Sequence, residues 1–147
     1  MKKQITVLVA HREPSLYRRL QHSLRQPRGI TLIDHVNTYT ALMQAMQQKK
    51  PRIIFLDAHF VKDNASRLMA NIRERSPGTK VIMMDKDYAQ SREVQAAKAG
   101  AQGYIGGEVP ATTIEKAVRV IDAGETWIRR HAVTLVLDDF VRLAPPP

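Results

Sequence analysis

The chain has 147 residues, of which 44% are hydrophobic and 25% are charged, enough for one domain with its own core. It contains no cysteine, which excludes a disulfide scaffold, cysteine zinc sites and a cysteine nucleophile. No apolar run approaches the ~18 residues of a membrane helix, and the run behind the N-terminal Met-Lys-Lys is too short for a signal peptide. We therefore expect a soluble, cytoplasmic protein with no membrane partner.

Positive charge is concentrated in the first third of the chain. The formal net charge is +9, and residues 1–52 hold ten basic residues against two acidic ones, whereas residues 53–147 hold thirteen against twelve. Such a surplus can mark a surface that binds nucleic acid. Because these basic residues are spread over predicted helix faces and turns, we favour a solvated face, or a face for an acidic partner, over direct DNA contact by this segment.

The chain opens with a predicted strand and helix. Residues 4–10 are a β-branched apolar run of strand length. Pro14 suits the first turn of the helix that follows, where its missing N–H is not needed. Leu16, Leu20 and Leu24 recur every four residues, which gives this helix one apolar face.

A second strand and helix lead to the most apolar segment of the chain. Residues 30–36 are the second predicted strand, and Thr38 is placed to cap the helix behind it. Residues 53–56, with the sequence Ile-Ile-Phe-Leu, are the third strand, which ends at Asp57. The order of strand and helix thus repeats.

The middle of the chain continues this alternation. After a third helix, residues 80–84 form a fourth strand, which ends at Asp85. The alanine-rich helix over residues 89–99 closes at Gly100, because glycine commonly ends a helix in the left-handed conformation.

The last part of the chain holds a short strand and two helices. Residues 103–105 are the fifth strand, and Pro110 starts a fifth helix that Gly124 stops. A further amphipathic helix is predicted from apolar residues at i, i+3, i+4, i+7 and i+8, which are Val133, Val136, Leu137, Phe140 and Val141. Its apolar face must be covered, either by the domain itself or by a second copy.

Five strands that alternate with helices predict an α/β fold. The strands are short and nearly continuous in apolar residues, which is typical of a parallel sheet with both faces covered by helices. The fold class is therefore a doubly wound five-stranded parallel sheet with an extra C-terminal helix.

Residues directly behind the predicted strands are the candidate functional groups, because ligands of open α/β sheets bind outside the carboxyl ends of the strands. These residues are His11, Arg12 and Glu13 after the first strand, Asp57 and His59 after the third, Asp85, Lys86 and Asp87 after the fourth, and Gly106 and Gly107 after the fifth. Imidazole and carboxylate groups at one edge leave open a transition-metal site, although the cationic Arg12 disfavours it. Its ligands would be His11, His59, Asp57 and Asp85.

Three segments of the chain resemble the receiver domains of bacterial response regulators of the NarL/FixJ/LuxR type. They are residues 51–57 (PRIIFLD), 97–105 (AKAGAQGYI) and 122–128 (DAGETWI), and the likeness extends over roughly residues 4–143. It implies a flavodoxin-like (βα)5 receiver fold with strand order 2-1-3-4-5. It also implies a receiver-like domain at 1–124, a C-terminal helix and linker at 125–144 and a proline-rich end at 145–147, with any effector domain beyond this chain.

The resemblance assigns roles to residues at the sheet edge. Asp57 matches the phosphoacceptor aspartate of the family, and Tyr104 matches the aromatic residue that shifts on phosphorylation. The acidic pair that holds Mg²⁺ is replaced by His11 and Arg12. The remaining two positions also differ. Asp85 is found where the family has a hydroxyl residue that bonds the phosphoryl group, and Gly107 is found where the family has a lysine that pairs with it.

These replacements predict a disabled phosphorylation site. Mg²⁺ prefers hard oxygen ligands, so we expect Mg²⁺ binding to be weak or absent and no other cofactor to be required. Asp85 would place a negative charge beside an incoming phosphoryl group, and Gly107 offers no cation. We expect Arg12 to form a salt bridge with Asp57 or Asp85 in the resting protein.

The expected function is that of an atypical receiver domain, not an enzyme, in signal transduction and transcription regulation. It would act by protein–protein contact or homodimerisation, through the surface of the fourth helix, fifth strand and fifth helix or through the last helix. A sensor kinase or another signalling protein is a possible partner, and DNA would be contacted only by a helix-turn-helix domain outside this chain. Two alternatives stay open: phosphorylation of Asp57 by a histidine kinase, and a small-ligand sensor in the cleft beside Gly106 and Gly107.

Overall fold

The computed structural model describes residues 4–25, 28–61 and 64–143, and the proline-rich end at 145–147 lies outside them. The elements are β1 (Ile5–Ala10), α1 (Pro14–Ser23), β2 (Ile30–Val36), α2 (Tyr39–Lys49), β3 (Ile53–Asp57), α3 (Ala65–Arg75), β4 (Lys80–Asp85), α4 (Gln90–Ala99), β5 (Gly103–Gly106), α5 (Ala111–Asp122) and α6 (Arg130–Leu143). The predicted alternation of strands and helices is confirmed. None of the helices in these ranges has the length and apolar character needed to cross a membrane.

The five strands form one parallel sheet in the order β2-β1-β3-β4-β5, as the family resemblance implied. β3 lies in the centre, with Leu56 beside Ala10 of β1 and Asp57 beside Met84 of β4. Since the strands run parallel, the residues at their carboxyl ends meet at one edge. Asp57 and Asp85 are therefore brought to the same end of the sheet.

Alternate residues of the central strand enter two separate apolar layers. Ile54 and Leu56 pack with helices α2, α3 and α4 on one face, whereas Ile53 and Phe55 pack with α1 and α5 on the other. All four side chains are fully buried. This arrangement follows from the two-residue period of a strand and explains why the whole segment is apolar.

Two predicted helix ends are confirmed. The N–H of Ala41 donates a hydrogen bond of 3.1 Å to the side-chain hydroxyl of Thr38, which caps α2. Gly100 closes α4 with φ at +106°, a conformation that glycine adopts without steric cost.

The segment after α5 packs back on the domain. The N–H of Trp127 donates to the carbonyl of Gln102 at 2.8 Å, and the N–H of Tyr104 donates to the carbonyl of Trp127 at 3.0 Å, so this segment covers the edge of β5. α6 then packs against α4 with Ala132 fully buried. Part of the surface that was expected to contact partners, formed by α4, β5 and α5, is thus occupied by the chain itself.

Candidate functional site

A cleft of about 390 Å³ lies at the carboxyl ends of the strands. As predicted, Asp57, Asp85 and Gly107 line it, together with His59. α1 contributes Arg19, which the sequence analysis did not select.

The carboxylate of Asp57 is held by the backbone of two loops. Asp57 is only 3% exposed, and its Oδ2 accepts a hydrogen bond of 3.1 Å from the N–H of Arg12. Its Oδ1 accepts one of 2.9 Å from the N–H of His59, and the His59 ring nitrogen Nδ1 lies 3.4 Å from the same oxygen. Such donors stabilise a carboxylate in a fixed orientation.

The predicted salt bridge of Arg12 is wrong. The guanidinium carbon of Arg12 lies 5.2 Å from the centroid of the Phe60 ring, a cation–π contact, and Arg12 forms no ion pair within the described ranges. Both expected partners are buried and already bonded, since Asp57 accepts from two backbone N–H groups and Asp85 pairs with Arg92, and the Arg12 side chain contacts Phe60 instead.

His11 contacts β2 and does not line the cleft. It is buried, its Nε2 lies 3.0 Å from Nδ1 of His35, and its ring stacks on Tyr17 with a centroid distance of 5.5 Å. Burial lowers the pKa of His11, the neighbouring His35 lowers it further, and the negative charge of Asp57 opposes both effects. The His11 imidazole is therefore favoured in its neutral form.

Asp85 and Tyr104 form a buried hydrogen bond. The Tyr104 hydroxyl donates to Oδ2 of Asp85 at 2.7 Å and accepts from the N–H of Ala89 at 3.2 Å. Burial, together with the bond to Asp85, raises the pKa of Tyr104 to about 12. Tyr104 thus stays protonated and serves as a fixed donor to Asp85.

Arg92 of α4 completes this group, and the sequence analysis missed it. Its guanidinium forms an ion pair with Asp85, and its Nη2 donates to the carbonyl of Asp87 at 3.2 Å. The bond to Asp85 raises the pKa of Arg92. The sequence feature that could have predicted a role for Arg92 is its position in the first turn of α4, the helix that follows β4.

Arg19 of α1 contacts Gly107, the position that matches the family's lysine. Its Nη2 donates to the carbonyl of Gly107 at 2.7 Å, and its Nε is buried with no hydrogen-bond partner in the described part of the chain. A Cβ built on Gly107 meets no atom within 4 Å, so a side chain at this position has open space. Arg19 lies one helical turn after Ser15, which also lines the cleft. This helical spacing is the sequence feature that could have placed Arg19 in the cleft.

The geometry does not favour the transition-metal alternative. His11 pairs with His35 and does not line the cleft that holds His59 and both carboxylates. Within residues 4–25, 28–61 and 64–143, no three His, Asp or Glu side chains come together as metal ligands.

A second cavity bears on the small-ligand alternative. It has a volume of about 400 Å³ and is lined by residues that include Gly106, Tyr88 and Trp127. A ligand in either cavity remains a prediction.

The sequence profile of the response regulator receiver domain matches residues 7–119. The chain belongs to the response regulator receiver domain family. The family that the three motifs suggested is therefore confirmed, and so is its characteristic sheet order.

Curated relatives of this receiver domain are bacterial regulators. Transcriptional regulatory protein DegU of Brevibacillus brevis is 24% identical over 101 residues, which cover 69% of this chain and 43% of the relative. Oxygen regulatory protein NreC of Staphylococcus epidermidis is 26% identical over 112 residues, which cover 76% of this chain and 50% of the relative. The receiver domain thus spans half or less of the length of these proteins.

Solved structures share the fold at low sequence identity. The isolated receiver domain of RcsB from Salmonella enterica serovar Typhimurium has a TM-score of 0.78 at 16% identity, with 92% of this chain and 99% of that chain covered. The receiver domain of NarL from Mycobacterium tuberculosis has a TM-score of 0.74 at 19% identity, with 84% and 99% covered.

Proposed function

We propose that this receiver domain is an atypical signalling module of a NarL/FixJ/LuxR-type transcription regulator, and that aspartyl phosphorylation does not switch it. It acts through protein–protein contact and has no enzymatic role of its own. The observation that carries the proposal is the state of Asp85, which occupies the position of the family's hydroxyl residue and is already bonded to Tyr104 and Arg92.

The two carboxylates that hold magnesium in the family are missing beside Asp57. Other carboxylates line the cleft, but within the described residues no three His, Asp or Glu side chains come together as metal ligands. Mg²⁺ is bound through carboxylates, waters and phosphate oxygens at near-octahedral geometry. The two positions that supply carboxylates in the family are His11, which bonds His35, and Arg12, whose cationic side chain extends over Phe60. We therefore propose that the domain binds Mg²⁺ weakly or not at all and needs no other cofactor.

The charges around Asp57 oppose phosphoryl transfer. A phosphoryl group on an aspartate brings up to about −2 of charge, which requires cations around it. The Asp85 carboxylate lines the same cleft, and Gly107 supplies no ammonium group. Arg19 and Lys86 are the Arg and Lys side chains that line the cleft, and Arg19 is bonded to the Gly107 carbonyl.

The position of Tyr104 supports signalling without phosphate. Its side chain is buried, and its hydroxyl is held by Asp85 and Ala89. Arg92 forms an ion pair with Asp85, which offsets the cost of burying this carboxylate. We infer that these contacts fix the orientation of Tyr104 relative to α4.

One observation favours the alternative, phosphorylation of Asp57 by a histidine kinase. Asp57 itself is present, and Arg19 places a guanidinium group in the same cleft.

Incubation with Mg²⁺ and acetyl phosphate, followed by intact-mass measurement, separates the two functions. We expect no phosphoryl adduct, with Asp57→Asn as the matched control. A stable adduct that disappears in Asp57→Asn would refute the proposal.

The partners of the whole regulator are also proposals. RcsB has been solved as two dimers bound to two parallel DNAs. We propose by analogy that this domain forms homodimers, receives signals from a kinase or another signalling protein, and acts in the cytoplasm. DNA contact is assigned to a helix-turn-helix domain outside this chain.

A further inference from the structure

A buried carboxylate lines the cavity of about 400 Å³ between α4, β5 and the segment that leads into α6. It belongs to Glu93 of α4, which is only 1% exposed. Its Oε1 accepts a hydrogen bond of 2.7 Å from the Tyr88 hydroxyl, and its Oε2 accepts one of 3.0 Å from the N–H of Arg129. An ionised carboxylate offers about four acceptor sites, so these two bonds leave room for further donors.

The charge of Glu93 has no cationic partner among the described residues. Glu93 forms no ion pair within residues 4–25, 28–61 and 64–143. The guanidinium of Arg129, the other charged side chain that lines the cavity, instead lies 3.8 Å from the centroid of the Tyr88 ring. Arg129 is exposed, so water screens its charge, whereas the buried carboxylate is screened much less. The electrostatics of the cavity therefore favour a bound cation.

Aromatic rings form much of the cavity wall. Tyr88, Tyr104 and Trp127 line it, and the rings of Tyr88 and Tyr104 meet edge to face with a centroid distance of 5.9 Å. Three aliphatic side chains complete the apolar lining. Aromatic faces attract ammonium groups, and ligand cavities of this volume typically combine an apolar lining with a few polar groups. The walls thus suit a hydrocarbon that carries a positive charge.

We propose that this cavity binds a small organic cation, an alkylammonium whose N–H groups donate to Glu93 and whose hydrocarbon part packs against Trp127. An occupant would contact both α4 and the segment that leads into α6, because Glu93 and Arg129 both line the cavity. Binding there does not involve Asp57 and goes beyond the proposed function. The phosphorylation assay above and the titrations below can therefore fail separately.

The first test compares two probes of the same shape. Cyclohexylmethylamine is protonated at about pH 7, as a lysine amine is, whereas cyclohexylmethanol is neutral. Trp127 is the single tryptophan of the 147-residue chain, so its fluorescence reports occupancy of this cavity. We expect a saturable change with the amine and binding about tenfold tighter than with the alcohol, because its bond to Glu93 is charge-assisted. An amine that binds no tighter than the alcohol, or no saturable change with either probe, would overturn the proposal.

The second test removes the negative charge from the cavity. Glu93→Gln keeps the shape of the side chain and should weaken amine binding about tenfold while leaving alcohol binding unchanged. Glu74→Gln, at an exposed position on α3, removes the same charge elsewhere and should retain the wild-type affinities. Circular dichroism checks that both variants fold. A folded Glu93→Gln protein with the full preference for the amine contradicts the assigned role of the carboxylate.

The third test uses an exposed residue and so does not depend on a substitution in the core. Arg129→Gln keeps the backbone N–H that Glu93 accepts, but removes a positive charge and exposes the Tyr88 ring to the ligand. Amine binding should become about two- to fivefold tighter. Arg67→Gln, exposed on α3, is the matched control and should have no effect. Weaker amine binding in Arg129→Gln would show that the guanidinium assists the ligand, which rules out the proposed cation site.

Discussion

The hydroxyl of Tyr104 donates a 2.7 Å hydrogen bond to the carboxylate of Asp85, and both side chains are buried at the carboxyl ends of β4 and β5. Hydrogen bonds to charged groups contribute more than neutral ones, and a buried acceptor that loses its donor is left partly unsatisfied. This bond links the functional edge of the sheet to the start of α4, where Ala89 and Arg92 complete it.

Removing that hydroxyl should destabilise the fold. We expect Tyr104→Phe to lower the free energy of unfolding by roughly 1.5–3 kcal/mol, the usual loss for a hydrogen bond to a charged group. Urea unfolding measures the change. Tyr17→Phe is the control, because it keeps the ring stacked on His35 and its hydroxyl has no hydrogen bond to the described residues. An equal loss in both variants would contradict the role assigned to Asp85.

Restoring the family's residues should restore phosphorylation. The variant His11→Asp, Arg12→Asp, Asp85→Thr and Gly107→Lys supplies two carboxylates, a hydroxyl and an ammonium group around Asp57. Space exists for the lysine, although φ at position 107 is +81°, which costs a residue with a side chain roughly 1–2 kcal/mol. Intact-mass measurement with acetyl phosphate and Mg²⁺ should show a phosphoryl adduct that the wild type lacks.

The same four changes in an Asp57→Asn background are the control for that experiment. The adduct should be absent there. If the restored variant remains unmodified although it folds, features other than these four positions block the reaction, and the charge argument fails.

Stability should fall as the solution becomes acidic. Burial and His35 lower the pKa of His11 below its ordinary value of 6.5, so between these two pKa values the unfolded chain binds more protons than the folded one. The stabilising contribution is therefore complete above about pH 6.5 and is lost as the pH falls toward the folded-state pKa. The free energy of unfolding falls by at most about 1.4 kcal/mol for each pH unit between the two pKa values.

Urea unfolding at about pH 7.5 and about pH 5.5 tests this dependence. His11→Asn should reduce the difference in stability between the two conditions, whereas His22→Asn, at an exposed position on α1, should not. A His11→Asn protein with the full acid sensitivity of the wild type would show that other groups cause the loss.

Two adjacent glycines should respond differently to alanine. A Cβ on Gly106 would lie 2.6 Å from the Cα of Tyr88, a backbone atom that cannot move easily. Gly106→Ala should therefore lower the free energy of unfolding by more than the typical ~1–3 kcal/mol of an overpacked site. Gly107 has open space around a Cβ but a positive φ, so Gly107→Ala should lower the free energy of unfolding by only about 1–2 kcal/mol. Chemical unfolding of both variants gives the comparison, and equal losses would argue against the close approach of Tyr88.

Local patterns in the sequence were sufficient for the secondary structure and for the positions of Asp57 and Asp85 at the ends of strands. Apolar runs of strand length located Asp57 and Asp85 at the ends of β3 and β4, and Gly100 ended α4 as expected. These predictions succeed because hydrophobic period and backbone conformation depend on neighbouring residues.

The partners of the site residues could not be predicted in the same way. Arg12 was expected at a carboxylate and lies over Phe60, while Asp85 is paired with Arg92. Each long side chain has several acceptors within reach, and the choice depends on the direction in which the folded backbone presents it.

The alternation of strands and helices and the burial pattern were readable from the order of residues, because each reflects a repeating local rule, whereas the strand order and the family came from the resemblance of three segments to receiver domains. The partners of His11, Asp85 and Gly107, and the exposure of one face of α6, depend on distances between elements far apart in the chain. Such distances are set when the helices dock on the sheet, since close packing then fixes which polar groups meet.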